Sequence, residues 1–416
     1  MRRGDGCFLY DEHERQYFDA LSGLCSVPIG YGNNRIITAI SAQASELAYY
    51  HAFFHMGTFP AGSLAQKLSE ITPQGFDHFL FQSSGSEAVE AAIKLSWLYH
   101  RRKGNCSKRH IIARERSYHG NTIFATHLTG IDDYREPFGI APNSAQIAQI
   151  PSPFAWQFRR ANDAEFGLEA ASWLQREIDR LGADNVAAFV AEPVQGTGGC
   201  IVPPKEYWRE IRRICDQNDI LLICDEVMTG FGRLGAWFGQ DVFEFQSDLM
   251  CMSKGITSSY VPLGAVGLQS SIFKTLFESG SDFVHGQTCS AHPLACAAAI
   301  ANINALEEGD LVKGAGVLGI RFYERLASAL ENVKIVGEIR GLGMMLAIQI
   351  DEYVLGEERA AGIAGEISDA LLHRGIITRS SHTSLLLSPP LIATTQQLDN
   401  LADDIAAVFE ADNLPA

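Results

Sequence analysis

Lys254 and Asp225 stand 29 positions apart, and each closes a short apolar run: LLIC before Asp225 and LMCM before Ser253-Lys254. An apolar run that stops on a polar residue is the pattern of a strand buried on both faces of a parallel sheet. Two such strand ends put a carboxylate and a primary amine at the edge of an open α/β sheet where ligands bind. An amine beside a fixed carboxylate suits pyridoxal phosphate chemistry, in which the lysine bonds the aldehyde and the aspartate keeps the pyridine nitrogen protonated. Taken alone, the pair reads more simply as a solvated lysine and a helix cap, and the residues around it decide.

Three further strand ends carry such residues. The strand His78–Phe81 runs into Ser84, Gly85 and Ser86, with Glu87 in the first helical turn. Free amides, two hydroxyls and the helix dipole make this an anion site suited to a phosphate, although an ordinary serine cap has the same appearance. It is not a serine-hydrolase elbow, because the second glycine of GxSxG is missing. The strand His110–Ala113 leads to Tyr118, His119 and Gly120, whose rings can face a flat cofactor or simply form a polar turn. The strand Val186–Ala191 ends on Glu192, and Gly196, Gly198 and Gly199 then let the backbone turn above the sheet.

The elements that must position these ends follow from periodicity and turn signals. Residues 8 to 19 read as a hairpin, and helical spacing covers 34–50, 61–71 and 166–181. The segment 131–163 lacks periodicity and reads as a surface excursion near the site mouth. His51 and His55 form an HxxxH pair without a metalloprotease glutamate, so a buried aromatic corner is expected. Gly230 to Gly235, GFGRLG, matches the dinucleotide pattern GxGxxG, but no helix or ribose-binding acid follows and the match is taken as chance. A long helix opens at about His292, and Thr288 in the loop before it can reach a phosphate. Two strands, RGLGMMLAIQI and SLLLSP, then look antiparallel. The division expected is an N-terminal part of a small domain (1–50), a large domain (51–290), and a linking helix with the rest of the small α+β domain (291–416).

Composition narrows the function classes. With 416 residues and 46% hydrophobic content the chain can bury a large core. A net charge of −16 provides no footprint for nucleic acid or an anionic membrane surface. No apolar stretch approaches the ~18 residues of a membrane span. Acidic residues at 5, 11 and 12 occupy the place of a signal peptide's apolar region, so a cytoplasmic protein is expected. Nine scattered cysteines suggest core residues rather than disulfides or zinc.

Together SGSEA, SYHG, EPVQG, CDEVMTGFGRLG, MSKG and GQTCSAHP resemble, in order, the motifs of the class III aminotransferases of pyridoxal phosphate fold type I. The resemblance covers nearly the whole chain. It implies a large domain with a mostly parallel seven-stranded sheet and a smaller α+β domain, with pyridoxal phosphate as cofactor. By that resemblance Lys254 holds the cofactor and shuttles the proton, Asp225 pairs with the ring nitrogen, Val227 packs beneath the ring and Tyr118 stacks above it beside His119. Ser84, Gly85 and Ser86 bind the phosphate, and Thr288 caps the phosphate of the other subunit of a homodimer.

EPVQGTGG, GITSSYVPLGAVG and YYHAFFH are similar to the amine or ω-amino acid:pyruvate group, which implies an amine donor and a keto acid acceptor. There Arg379 is the mobile arginine that receives a carboxylate, and Glu192 holds an arginine aside when an uncharged substrate is bound. Cys25, Phe54 and Thr197 complete the substrate set. Cys25 stands where that group often has a bulky aromatic, and Thr197 where it often has a small residue, so the pocket is expected to differ in size. Cys289, Gln287 and Ala291 also depart from the usual pattern. An aminomutase, a racemase or a phospho-lyase on the same scaffold remains open, as does a non-catalytic cofactor-binding protein. The intact set of Lys254, Asp225, Tyr118 and Ser86 speaks against the last.

Overall fold

The computed structural model describes residues 1–144, 146–277 and 282–410. The chain opens on three short strands, β1 (Arg3–Asp5), β2 (Phe8–Tyr10) and β3 (Gln16–Asp19). β2 and β3 pair antiparallel, so the hairpin over residues 8–19 forms. Its turn is closed by the Asp11 carboxylate, which accepts the amides of His13 and Arg15.

A seven-stranded sheet follows, built from β4 (Phe76–Gln82), β5 (His110–Arg114), β6 (Ile147–Ile150), β7 (Val186–Ala191), β8 (Leu221–Asp225), β9 (Leu249–Met252) and β10 (Gly264–Gln269). Its spatial order is β4-β10-β9-β8-β7-β5-β6. Only β10 runs against the others, pairing antiparallel with both β4 and β9. The remaining strands therefore all end at one edge, where the sequence places Ser84, Tyr118, Glu192, Asp225 and Lys254.

The strand β7 shows why these runs carry no polar alternation. Ala188 and Val190 pack against the helix Gly85–Arg102 on one face, while Phe189 and Ala191 pack against the helices Ala164–Leu181 and Tyr207–Gln217 on the other. Side chains alternate across a strand, so a strand covered on both faces must be apolar throughout. Burial of Phe189 alone stabilises the sheet by about 1.5–3 kcal/mol.

The rest of the chain makes a second layer. β11 (Val336–Leu342), β12 (Met345–Ile350), β14 (Arg379–Ser381) and β15 (Ser384–Leu387) form an antiparallel sheet, with β12 beside β15. β13 (Ile376–Ile377) instead pairs parallel with β3, joining the two ends of the chain. The GFGRLG segment ties this layer to the N-terminal segment and packs against a helix of the second layer. Gly235 has φ +89°, and a Cβ there would come within 2.7 Å of Gly316 in the helix Leu311–Leu330. The buried Arg233 guanidinium donates to the carbonyls of Met344 and Pro389 and to the Ser22 hydroxyl.

Two expectations need correction. The excursion over 131–163 is not wholly irregular, because Ile147–Ile150 adds an edge strand parallel to β5. Four residues are too few to show a period. The corner around His51 and His55 is not buried: Phe54 is 86% exposed and Phe59 88% exposed. Apolar composition suggested burial, but among the described residues Phe54 meets the neighbouring His51 and Phe53 rings and stays open to solvent.

Candidate active site

The carboxyl edge of the sheet encloses a cavity of about 390 Å³ whose wall includes Ser84, Gly85, Ser86, Tyr118, His119, Glu192, Asp225, Val227 and Lys254. Five strand ends thus meet in one space, as the parallel topology requires. Leu24, Gly120, Asn121, Met228 and Ser253 complete its lining.

At one end the helix Gly85–Arg102 begins. The Ser84 hydroxyl caps it by accepting the amide of Glu87. The Gly85 and Ser86 amides lie in the first turn, where no helical carbonyl can accept them, and are available to an anion. The Ser86 hydroxyl donates to Asn121 Oδ1 and accepts the Asn121 amide, at 3.0 and 3.1 Å. Gly120, at φ +132°, is needed there, because a Cβ would lie 2.4 Å from the Ser86 hydroxyl. Gly85 is less tightly constrained, with the Val227 methyls 3.1 Å from the position of a Cβ.

At the other end Asp225 is buried. His119 Nδ1 donates to its Oδ2 at 2.8 Å, and the Val227 amide donates to its Oδ1 at 3.1 Å. Among the described residues His119 Nε2 is buried without a partner. Glu192 lies deeper: its two oxygens accept the amides of Tyr118 and Gly196, at 3.1 and 2.9 Å. Burial raises the Glu192 carboxyl above its usual range, while His119, the Gly196 amide and Arg114 work against that shift.

Lys254 stands between these ends with φ +47°, a left-handed conformation that costs a non-glycine residue on the order of 1 kcal/mol. Burial lowers its pKa from the ordinary lysine value, Arg379 adds to that, and Cys25, Asp225 and Glu192 oppose it. A depressed pKa leaves more of the amine neutral, as a nucleophile or proton carrier requires. Burial also raises the Tyr118 phenol.

A second cavity of about 290 Å³ shares Leu24, Tyr118, Met228 and Lys254 with the first. Its remaining wall is Leu21, Cys25, Tyr134, Thr197, Arg379 and Leu386. Arg379 opens β14 and donates from Nη2 to the Tyr134 hydroxyl at 2.6 Å. The Cys25 thiol donates to Ser388 Oγ, 2.8 Å away, which in turn donates to the Leu21 carbonyl. The Thr197 hydroxyl faces the Met228 sulfur at 3.7 Å.

Family comparison agrees with this architecture. The family model for class-III aminotransferases matches residues 1–409. The chain belongs to the class III aminotransferases. This aminotransferase is 36% identical over 405 residues to the putrescine–pyruvate aminotransferase of Pseudomonas aeruginosa, covering 96% of this chain and 88% of that one. It is 34% identical over 418 residues to a probable mitochondrial gamma-aminobutyrate transaminase 3 of Oryza sativa subsp. indica, covering 98% and 81%. Among solved structures, the omega transaminase from Pseudomonas jessenii in complex with PMP superposes with a TM-score of 0.91 at 33% identity, covering 98% of this chain and 91% of that one. The fold is that of pyridoxal phosphate fold type I, and the enzyme is an aminotransferase that uses pyridoxal phosphate.

The larger cavity fits that cofactor. It offers an anion cradle at the helix start, a carboxylate backed by an imidazole at the far end, and an amine between them. Two of the residues expected in the site are not in the single chain's cavity walls. Thr288 is exposed and its carbonyl accepts the Tyr49 hydroxyl at 2.7 Å, and Phe54 projects from the surface. Backbone amides donate to both Glu192 oxygens, and the Arg379 guanidinium donates to the Tyr134 hydroxyl. Sequence reasoning missed Leu24 and Tyr134, which lie in short turns away from the strand ends of the central sheet, and Met228, three residues past the end of β8. Among the described residues no cluster could hold a metal ion, and no helix is long and apolar enough to cross a membrane.

Proposed function

We propose that this aminotransferase moves an amino group from an amine or ω-amino acid to pyruvate, with the second cavity receiving both partners in turn. The observation that carries this reading is the meeting of the two cavities at Lys254, with an apolar wall of Leu21, Leu24, Met228 and Leu386 and the Arg379 cation beyond it. An apolar wall suits the uncharged body of an amine, and the guanidinium suits the carboxylate of a keto acid. The names of the putrescine and gamma-aminobutyrate enzymes support the same substrate range. The small Cys25 side chain leaves room for a bulky donor.

Pyridoxal phosphate supplies an aldehyde for the amine and an electron-poor ring that draws electrons from the carbon bearing it. The protein's part is to hold and move protons. Asp225, with His119 behind it, holds a proton at the pyridine nitrogen. The Lys254 Nζ would carry the proton between the substrate carbon and the cofactor. Val227 and Tyr118 hold the ring between them, and Ser84, Gly85 and Ser86 anchor the phosphate.

The reading extends to assembly. We take residues 51–290 as a large domain, and 1–50 with 291–416 as a small domain, in a cytoplasmic homodimer. Exposed Phe54, Met56, Phe59 and Val284 support an interface, since monomers seldom expose such large apolar side chains together. Thr288 would then reach the partner subunit's cofactor phosphate, with Cys289, Gln287 and Ala291 beside it.

The test is a half-reaction screen in which the purified cofactor-loaded enzyme is mixed with β-alanine, taurine, 1-phenylethylamine, 4-aminobutyrate or ornithine. A donor of the proposed class bleaches the bound cofactor's visible absorbance, and pyruvate restores it. A spectrum that never cycles while the substrate isomerises or loses phosphate would overturn the transferase reading in favour of a mutase, racemase or lyase.

A further inference from the structure

We infer that Tyr134 is a specificity-determining tether, holding the Arg379 guanidinium against the pocket wall until a substrate carboxylate displaces it. This rests on the reading of the second cavity as the substrate pocket. Three observations support it. The Arg379 Nη2 donates to Tyr134 Oη at 2.6 Å, and both side chains line that cavity. Glu192, the acidic group otherwise expected to hold an arginine, accepts the amides of Tyr118 and Gly196, while the Arg379 bond goes to Tyr134. The Tyr134 ring is itself fixed, packed edge-on against Tyr118 with centroids 5.1 Å apart at 62°.

The short turn Asp132–Tyr134 carries this ring, and the neighbouring Arg135 is buried and paired with Asp132. The phenol oxygen is therefore presented from a braced turn. Its chemistry suits a reversible hold. A phenol offers a guanidinium one neutral acceptor oxygen, whereas a carboxylate offers opposite charge and two oxygens for a bidentate pair. A substrate with an uncharged distal end leaves the tether intact and meets the apolar wall. A substrate carboxylate breaks it and takes the cation. One pocket thereby accepts two unlike partners, and the strength of the tether sets the balance between them. Because Tyr134 acts through Arg379, it is a positioning residue.

The test uses butyrate, a carboxylate with no amine to react, and measures its affinity for the cofactor-loaded enzyme by calorimetry. Tyr134→Phe keeps the ring against Tyr118 and removes only the acceptor. It is expected to tighten butyrate binding by about fivefold, the scale of one net hydrogen bond. Arg379→Leu is expected to weaken binding, and the double variant is expected to match Arg379→Leu. In parallel, Tyr134→Phe raises the KM for 1-phenylethylamine more than it changes kcat. Unchanged or weaker butyrate binding in Tyr134→Phe would overturn the tether, as would an effect of that substitution that persists without Arg379. If the wild-type enzyme transfers no amino group from any donor to pyruvate while butyrate binding follows the expected pattern, the donor and acceptor reading falls and the tether stands.

Discussion

Lys254 carries its amine on a left-handed backbone, in a wall where burial and Arg379 both disfavour the charged form. Two outcomes follow at this scale. Lys254→Ala removes both the cofactor bond and the proton carrier, so single-turnover measurements with an active donor should slow by about a thousandfold or more. A rate near that of the wild type would refute the assignment. The second outcome concerns pH. Because the Lys254 pKa lies below the ordinary 10.5, the neutral amine is already present at lower pH. Capture of pyridoxal phosphate by the cofactor-free protein should rise with pH around a midpoint below 10.5, and a midpoint at or above it would contradict the environment described. Lys254, Asp225, Glu192, Tyr118 and Ser86 were legible because each follows an apolar strand. Tyr134 was not, because its role comes from a contact with Arg379, 245 positions away.

At the scale of elements, the edge of the sheet opposite the site has its own fastening. Lys108 precedes β5, and its buried ammonium donates to the carbonyls of Ala183, Val186, Asn218 and Asp219. These carbonyls lie at the amino ends of β7 and β8, so one cation ties three adjacent strands together. Burial lowers the Lys108 pKa, yet the four carbonyl dipoles replace the water the ammonium gives up. Lys108→Met leaves that cluster of buried carbonyls unsatisfied and should cost about 3 kcal/mol, read as a fall in the urea midpoint. Loss of less than about 0.5 kcal/mol would mean that water replaces the ammonium without penalty. Nothing in the sequence around Lys108 marked it, since a lysine before a strand is usually solvated.

At the scale of the whole molecule, Arg233 binds the N-terminal segment, the turn before β12 and the chain after β15 to one guanidinium. That tie brings Leu21, Cys25 and Leu386 over the second cavity, so the substrate pocket depends on the two sheets packing together. Elsewhere the single chain leaves a surface with exposed Phe54, Phe59 and Val284. If a second subunit covers it, sedimentation should give twice the mass of one chain. Thr288→Ala should then raise the pyridoxal phosphate concentration for half-saturation by about tenfold, the worth of one hydrogen bond to a charged group. A monomer by sedimentation, or unchanged cofactor affinity in Thr288→Ala, would remove the cross-subunit role.

What the sequence determined by itself was the central sheet and the cofactor end of the site. A parallel strand must be apolar along its length, and its polar residues must wait for the carboxyl end, so local pattern and site coincide. Tertiary structure alone decided the edge strand β6, the pairing of β13 with β3, the exposure of Phe54 and Phe59, and the partners of Glu192 and Arg379. Each depends on which distant segment lies alongside. A stretch of four residues, an aromatic run or a single arginine has several possible neighbours, and only the packed chain selects one.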